Sequence, residues 1–596
     1  MERFVNRAAC LLLLLCTVAL TCPGVAADDV PMTAMRDEMA RSVDMQLSGL
    51  AKPYFLAYRI QEITDVSVSA NLGSLVTSRD TRSRLLHVEL RVGDYKLDNS
   101  NFLSLGARPG GSFSAGQQIA IDDDYSEIRR EIWLATDAEY KKAVEQLAAK
   151  QAALQNQSHG DDVPDFSRER PNKYFEKPKP PSIDTLALEA AARQVSSVFR
   201  QMPELQSSRA SIEARNVYTR YLNSEGTEYT KSSVLTLVEL KATVQAEDGL
   251  PLEDTEQIFV NSPSELSAQE LAVRAQQMIA RLQKLRTAKS FDRYNGPVLF
   301  EGEAGAEIFA QLFAPALVAS RNPVTDNPRA QAFLEQMTTH FGGGSLSDRV
   351  GGRVLPDTVN VVDNPELDSF QGQRLMGKYY VDDDGAPGRV NTVVESGILK
   401  LLLASRTPIA GASQSTGSHR GISAAPSNLI FTASKSTSDQ ELRRMLVEHA
   451  KARGYDYGIV VRRAGGSAGE FIQMAMSMMQ GGSAPGNNML EVYKVYADGH
   501  EELLHGEQLP SMTVASFKDI LAVGNKPVVY NSIFVPGFTS IMMLGMSGDI
   551  SAVTNMPVVS YVVPSLLFDE VTMKKASGPF PTAPVSNPPP LSARGS

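Results

Sequence analysis

Three runs near the start of the chain constrain its fold most. Tyr54 to Ile60, Val66 to Val76 and Ser83 to Val92 alternate with the two-residue period of half-buried strands, and Gly73 and Gly93-Asp94 mark the turns. From Tyr125 to Gln155 the period changes to that of a helix, which carries the only tryptophan, Trp133. A second helix is expected from about Thr185 to Met202. Strands follow around Ile212 to Tyr221, Ser232 to Gln245 and Glu256 to Val260, with Asn223-Ser224-Glu225-Gly226 as a turn between the first two. Ser264 to Ser290 reads as a long amphipathic helix striped by Leu266, Leu271, Ala275, Met278 and Leu282. Strands and helices come in blocks without regular βαβ alternation, so the expected class is α+β rather than doubly wound.

At 596 residues the chain is too long for one core, and two large domains are expected. The boundary falls near Tyr294-Asn295-Gly296-Pro297. This gives an N-terminal domain over 28–290, an antiparallel sheet with helices, and a mostly-β C-terminal domain over 291–575. Within the first, 158–182 holds five prolines and many charges without periodicity, which reads as a flexible loop. The second opens with a strand at Val298 to Phe300 and a helix from about Ala304 to Ala319. A further helix is announced by Ser438 as N-cap, Glu441 three residues on, and Gly454 as its stop. Residues 576–596 are proline- and serine-rich and are expected to be a disordered tail.

The first 27 residues read as a signal peptide. Arg3 and Arg7 precede the apolar run Ala8 to Leu20, which is too short to span a bilayer, and Val25-Ala26-Ala27 offers small residues for cleavage after Ala27. Leu20-Thr21 makes a poor lipid-attachment box for Cys22, which disfavours a lipoprotein. The expected product is exported, periplasmic or extracellular, with no stable membrane span in the mature chain. Cys10, Cys16 and Cys22 all leave with the signal segment, so any metal would rest on histidine and carboxylate alone. A net charge of −10 and the lack of a basic stripe argue against nucleic acid as a partner.

The second half carries a series of landmarks. Val298-Leu299-Phe300-Glu301 is followed by Gly305-Ala306-Glu307-Ile308, Val361-Val362-Asp363-Asn364-Pro365 and Asp382-Asp383-Asp384-Gly385-Ala386-Pro387. Then come Val394-Glu395-Ser396-Gly397-Ile398-Leu399-Lys400, Thr416-Gly417-Ser418-His419-Arg420, Lys435-Ser436-Thr437, Met556-Pro557-Val558 and Pro564-Ser565-Leu566-Leu567. In order and spacing these resemble the TldD/PmbA metallopeptidase family (peptidase U62 type). In its active members the resemblance implies a helix with a histidine-glutamate-x-x-x-histidine motif and a late cysteine that complete a zinc site. Zinc acts there as Lewis acid, and the carboxylate takes a proton from the attacking water.

Laid on this chain, Gln311 falls at the first histidine, Leu312 at the glutamate and Ala316 at the second histidine, while the cysteine position falls close to Asp549. Leucine and alanine offer no metal donor, and Pro315 should bend or end the helix. A buried helix packed by Phe309, Leu312, Phe313 and Leu317 is the plainer expectation, with no zinc or other cofactor. Among the histidines, His500 and His505 read as surface and His449 as a partly exposed helix residue. His419 and Arg420, inside a family landmark, are the candidates to line a peptide cleft. The resemblance thus implies a non-catalytic subunit that binds an extended or unfolded polypeptide, or pairs as a homo- or hetero-oligomer with a TldD-like subunit. The alternatives are a peptidase with a divergent site, using Asp549, Glu301, Glu307 or His419, and a purely structural exported protein.

Overall fold

The computed structural model describes residues 29–103, 116–155, 162–179, 183–290, 293–327, 329, 331–332, 346–465, 488–508, 512–536, 556–576, 580, 584 and 586. A helix that the pattern did not announce, α1 (Val30–Ser42), opens the fold, capped by Asp29, whose carboxylate accepts from Met32 N. The three expected strand runs merge into two nineteen-residue strands, β1 (Pro53–Asn71) and β2 (Ser74–Val92). Leu72 and Gly73 close the hairpin with φ of 48° and 79°, the left-handed pair that matches strand twist. With β3 (Gln117–Ile119), β4 (Lys173–Phe175), β5 (Ser207–Asn223), β6 (Glu228–Gln245) and β7 (Pro251–Val260) they form one sheet. Its order is β3-β2-β1-β5-β6-β4, with β7 also on β6, and all pairs are antiparallel except β4 with β6.

Strand alternation gives this sheet two different faces. Leu56, Tyr58 and Ile60 of β1 pack with α1 and with α2 (Tyr125–Gln155), and Val66, Val68 and Ala70 pack with α3 (Thr185–Ser197) and α4 (Ala268–Arg286). In α4 the expected stripe is buried through Leu271, Met278 and Leu282, each worth about 1.5–3 kcal/mol. The opposite face, with Phe55, Ala57, Tyr221 and Tyr229, meets Phe166 and Val381. Between 162 and 179 the stretch expected as a flexible loop carries only β4. Asp165, Phe166 and Ser167 are buried there, and Asp165 pairs with buried Lys150 at 2.5 Å, so this part is packed down rather than free.

The C-terminal domain holds two mixed sheets around one core. β8 (Arg293–Phe300) runs parallel to β13 (Tyr457–Arg463) and antiparallel to β18 (Leu566–Lys575) in an eight-stranded sheet. The other, six-stranded, orders as β11-β10-β9-β12-β17-β16: Ile398–Leu399, Asn391–Glu395, Val359–Asp363, Asn428–Ala433, Val558–Val563 and Val528–Ile533. The expected late helix is α6 (Asp439–Ala452). Ser438 accepts from Glu441 N, and Gly454 stops it at φ 84°. The α+β class with two domains is the observed architecture.

Candidate functional site

The metal-helix position comes first. The helix expected over about 304–319 is shorter: α5 covers Glu303–Ile308, a π-turn follows at Phe309–Phe313, and a 3₁₀ turn at Ala314–Leu317. The regular ladder gives way to the π-turn after Ile308, and Pro315, which cannot donate to the carbonyl four residues back, bars its return. Gln311 turns its Nε2 to the Gly465 carbonyl at 2.7 Å, Leu312 packs half-buried on the domain core, and Ala316 is 1% exposed. An amide already engaged, an isobutyl group and a methyl do not fit a zinc site. Phe309 and Phe313 instead stack at 5.3 Å and fill the core beside Phe431 and Phe517.

The other candidates separate clearly. Glu301 is lowered from the usual carboxylate range against its burial, because Arg443 and Arg462 donate to it at 2.8–2.9 Å. Burial, with Glu303 beside it, pushes Glu307 up to about 7, and its carboxylate accepts from Ala464 N. Asp549 lies outside the described residues. His500 is exposed and His449 half-exposed, as expected. His505 corrects the surface expectation: it is 3% exposed, with Asp248 3.3 Å from its Nε2, because β15 (Glu501–Leu504) carries it under the sheet edge.

His419 and Arg420 do line a cleft, of about 1390 Å³, between the free face of the N-terminal sheet and the loops of the C-terminal domain. Its floor is a turn and a hairpin locked together. Gly385, at φ 81°, leaves room where a Cβ would meet Thr227 at 2.4 Å, and Gly417, at φ 73°, lets its backbone approach Pro387. Asp382 accepts from Asp384 N, Ala386 N and His419 N at 2.8–3.1 Å, and burial with Asp384 nearby pushes it up to about 7. Asp383 accepts from Lys231 Nζ and Gly421 N, both at 2.6 Å. Burial opposes its ionisation, but Lys231, Arg59 and His419 hold it far below the usual range.

His419 Nδ1 lies 2.8 Å from Asp384 Oδ1, an ion pair rather than an aligned hydrogen bond. Burial disfavours the imidazolium, yet Asp384, Asp383 and Asp382 together push His419 up to about 9, so it carries a proton at neutral pH. Arg406 grips Glu225 of the Asn223–Gly226 turn with two bonds of 2.7 and 3.0 Å, and lies 3.9 Å over the Phe166 ring. Arg420 donates to the carbonyls of Pro426 and Val558 and sits over Tyr379. Arg59, Lys231 and Arg406 were not singled out from the sequence. The available signal was a charge at Arg59 on a strand face whose neighbours, Phe55 and Ala57, are apolar.

The metal-helix position and the cleft do not coincide: among the described lining residues, Gln311, Leu312 and Ala316 are absent. Together the two sheets, the broken helix and the aspartate turn define a two-domain α+β scaffold. Residues 293–483 match the model of the family described as PmbA/TldA metallopeptidase C-terminal domain. In fold, the chain is similar to TldE from Thermococcus kodakarensis, at 13% identity and TM-score 0.52, covering 91% of this chain and 99% of that one. It is also similar to candidate modulators of DNA gyrase from Thermotoga maritima and Bacteroides thetaiotaomicron. The first has 13% identity, TM-score 0.51 and coverage of 87% and 96%; the second has 12% identity, TM-score 0.52 and coverage of 92% and 98%. No curated protein matches. Residues 293–483 thus carry the C-terminal domain of the PmbA/TldA metallopeptidase family, in a chain whose fold is similar to that of TldE.

Proposed function

We propose that this chain is a non-catalytic member of its family. It holds an extended polypeptide in the cleft, alone or as partner of a TldD-like subunit, in an exported compartment after cleavage behind Ala27. The observation that carries this reading is the occupancy of the metal-helix position by Gln311, Leu312 and Ala316, with an aromatic core packed where ligands would stand. The cleft supports it from the other side, being wide enough for a peptide in strand form and walled by sheet and loop. The aspartates around His419 favour its imidazolium against burial, which argues against its use as a divergent base.

The test uses purified residues 28–596, incubated with zinc and gel-filtered. Metal content is read by mass spectrometry, and binding of a fluorescein-labelled unstructured peptide by anisotropy. Saturable binding without turnover or retained zinc is expected. Stoichiometric zinc with chelator-sensitive cleavage would overturn the reading.

A further inference from the structure

Among the described residues of the cleft floor, each cation has a bonded partner except Arg59. Lys231 pairs with Asp383 at 2.6 Å, His419 with Asp384 at 2.8 Å, and Arg406 with Glu225 at 2.7 Å. Arg420 gives its N–H groups to two backbone carbonyls. Arg59 differs from all of these. Alternation on β1 turns it to the cleft with Phe55 and Ala57, while Tyr58 and Ile60 turn to the helices. It makes no hydrogen bond or ion pair with a described residue, and its Nε is buried without a partner.

The carboxylates whose charge it feels most, Asp383 and Asp384, already hold Lys231, Gly421 N and His419. Arg59 is half-buried, and its buried Nε–H is unfavourable until something accepts from it. Of the ten lysines and arginines among the described lining residues, eight pair with a carboxylate and Arg420 bonds to backbone carbonyls, which leaves Arg59. Beside Arg59, its cross-strand neighbour Tyr221 stacks on Tyr229 at 4.9 Å, a flat wall for a neighbouring side chain.

We infer that Arg59 anchors a carboxylate of the bound polypeptide, its C-terminal α-carboxylate or an acidic side chain, through the two-pronged contact that a guanidinium makes with a planar anion. This rests on the reading of the cleft as a polypeptide groove. It adds which chemical group is selected and by which residue.

The test titrates residues 28–596 with one unstructured twelve-residue peptide in three forms: free C-terminus, amidated, and amidated with a terminal glutamate. Each is measured against wild type, Arg59→Gln and Arg59→Lys. In wild type, amidation is expected to weaken binding about 10- to 100-fold, the range for a charged hydrogen-bonded contact. In Arg59→Gln the free and amidated peptides should bind alike, at the weakened level, and Arg59→Lys should fall between. Recovery by the terminal glutamate would assign the anchor to side-chain carboxylates, and lack of recovery to the chain terminus.

The same amidation penalty in wild type and Arg59→Gln would overturn the anchor, as would binding indifferent to amidation, while leaving the groove standing. Wild type that binds no form sinks both. Arg59 makes no hydrogen bond or ion pair with a described residue, so the Gln variant should fold, losing only the hold of its charge on Asp383. Were it not to fold, the amidation penalty in wild type against Arg59→Lys decides.

Discussion

Two regions of the C-terminal domain lie on landmarks of the same family and have opposite physical content. From Phe309 to Leu317 the chain is a largely apolar plug: Phe309, Phe313, Ala314, Ala316 and Leu317 are each at most 1% exposed. From Asp382 to Asp384, with His419 and Arg420, it is a knot of buried charge. A metal site can be replaced by carbon without loss, because the replacement brings its own packing energy and leaves no orphaned donor. A charge knot cannot be thinned one residue at a time, since every removal strands a partner. The first region therefore tolerates replacement by apolar residues, and the second does not tolerate removal of single members.

The comparison breaks most easily at the plug. Phe309 has Phe313, Phe431, Phe517 and Tyr561 rings within 6.4 Å, so Phe309→Ala should lose about 3–5 kcal/mol in urea unfolding. A loss below about 1 kcal/mol would show that the segment is not core.

At the charge knot the expected signature is pH. His419 rises from 6.5 to about 9 on folding, so its contribution is complete below pH 6.5 and vanishes as pH climbs through about 9. That shift corresponds to about 3 kcal/mol. Asp384 is held low, and its share fades as pH falls below 3.8. Asp382, raised to about 7, works the other way, favouring the fold below 3.8 and losing that as pH rises through 7. The stability gap between wild type and His419→Gln should close between pH 6.5 and 9. A gap flat over that range would mean that His419 is neutral in the fold.

Restoring the family's donors sharpens the comparison further. Gln311→His with Leu312→Glu and Ala316→His should retain no zinc after gel filtration. The third change pushes an imidazole into a site filled by a methyl, costing about 1–3 kcal/mol. Retained zinc in the triple variant would show that the broken helix still presents a metal geometry.

How much of this was legible varies with how local the cause is. Pro315 announced the end of the helix, and Ser438 and Gly454 both ends of α6, because those signals act within one turn. The gap between the first two strand runs was misleading. Glu62 and Asp65 look like strand breakers, but they meet Arg84 and Arg220, and Arg215, across the sheet, so β1 continues through them. Such pairing is invisible along the chain. The cleft is the extreme case: Arg59, Lys231, Asp383, Arg406 and His419 come from five separate segments, and only two of the segments carried a motif. The α+β class was legible because it needs only the order of periods.

The smallest effect separates the two regions most cleanly. The resemblance aligns Gln311 with a metal position, yet its amide is a strut that donates to Gly465 O just after β13. Gln311→Ala removes that bond and should cost about 0.5–1.5 kcal/mol in urea unfolding. If the first region is only packing, the variant must bind a free-carboxylate peptide as wild type does, because Gln311 does not line the cleft. A parallel loss of peptide affinity and stability would mean that the strut transmits to the cleft, and the two regions would then be one site. Unchanged affinity with lowered stability keeps them separate, with recognition at the charged floor and structure at the plug.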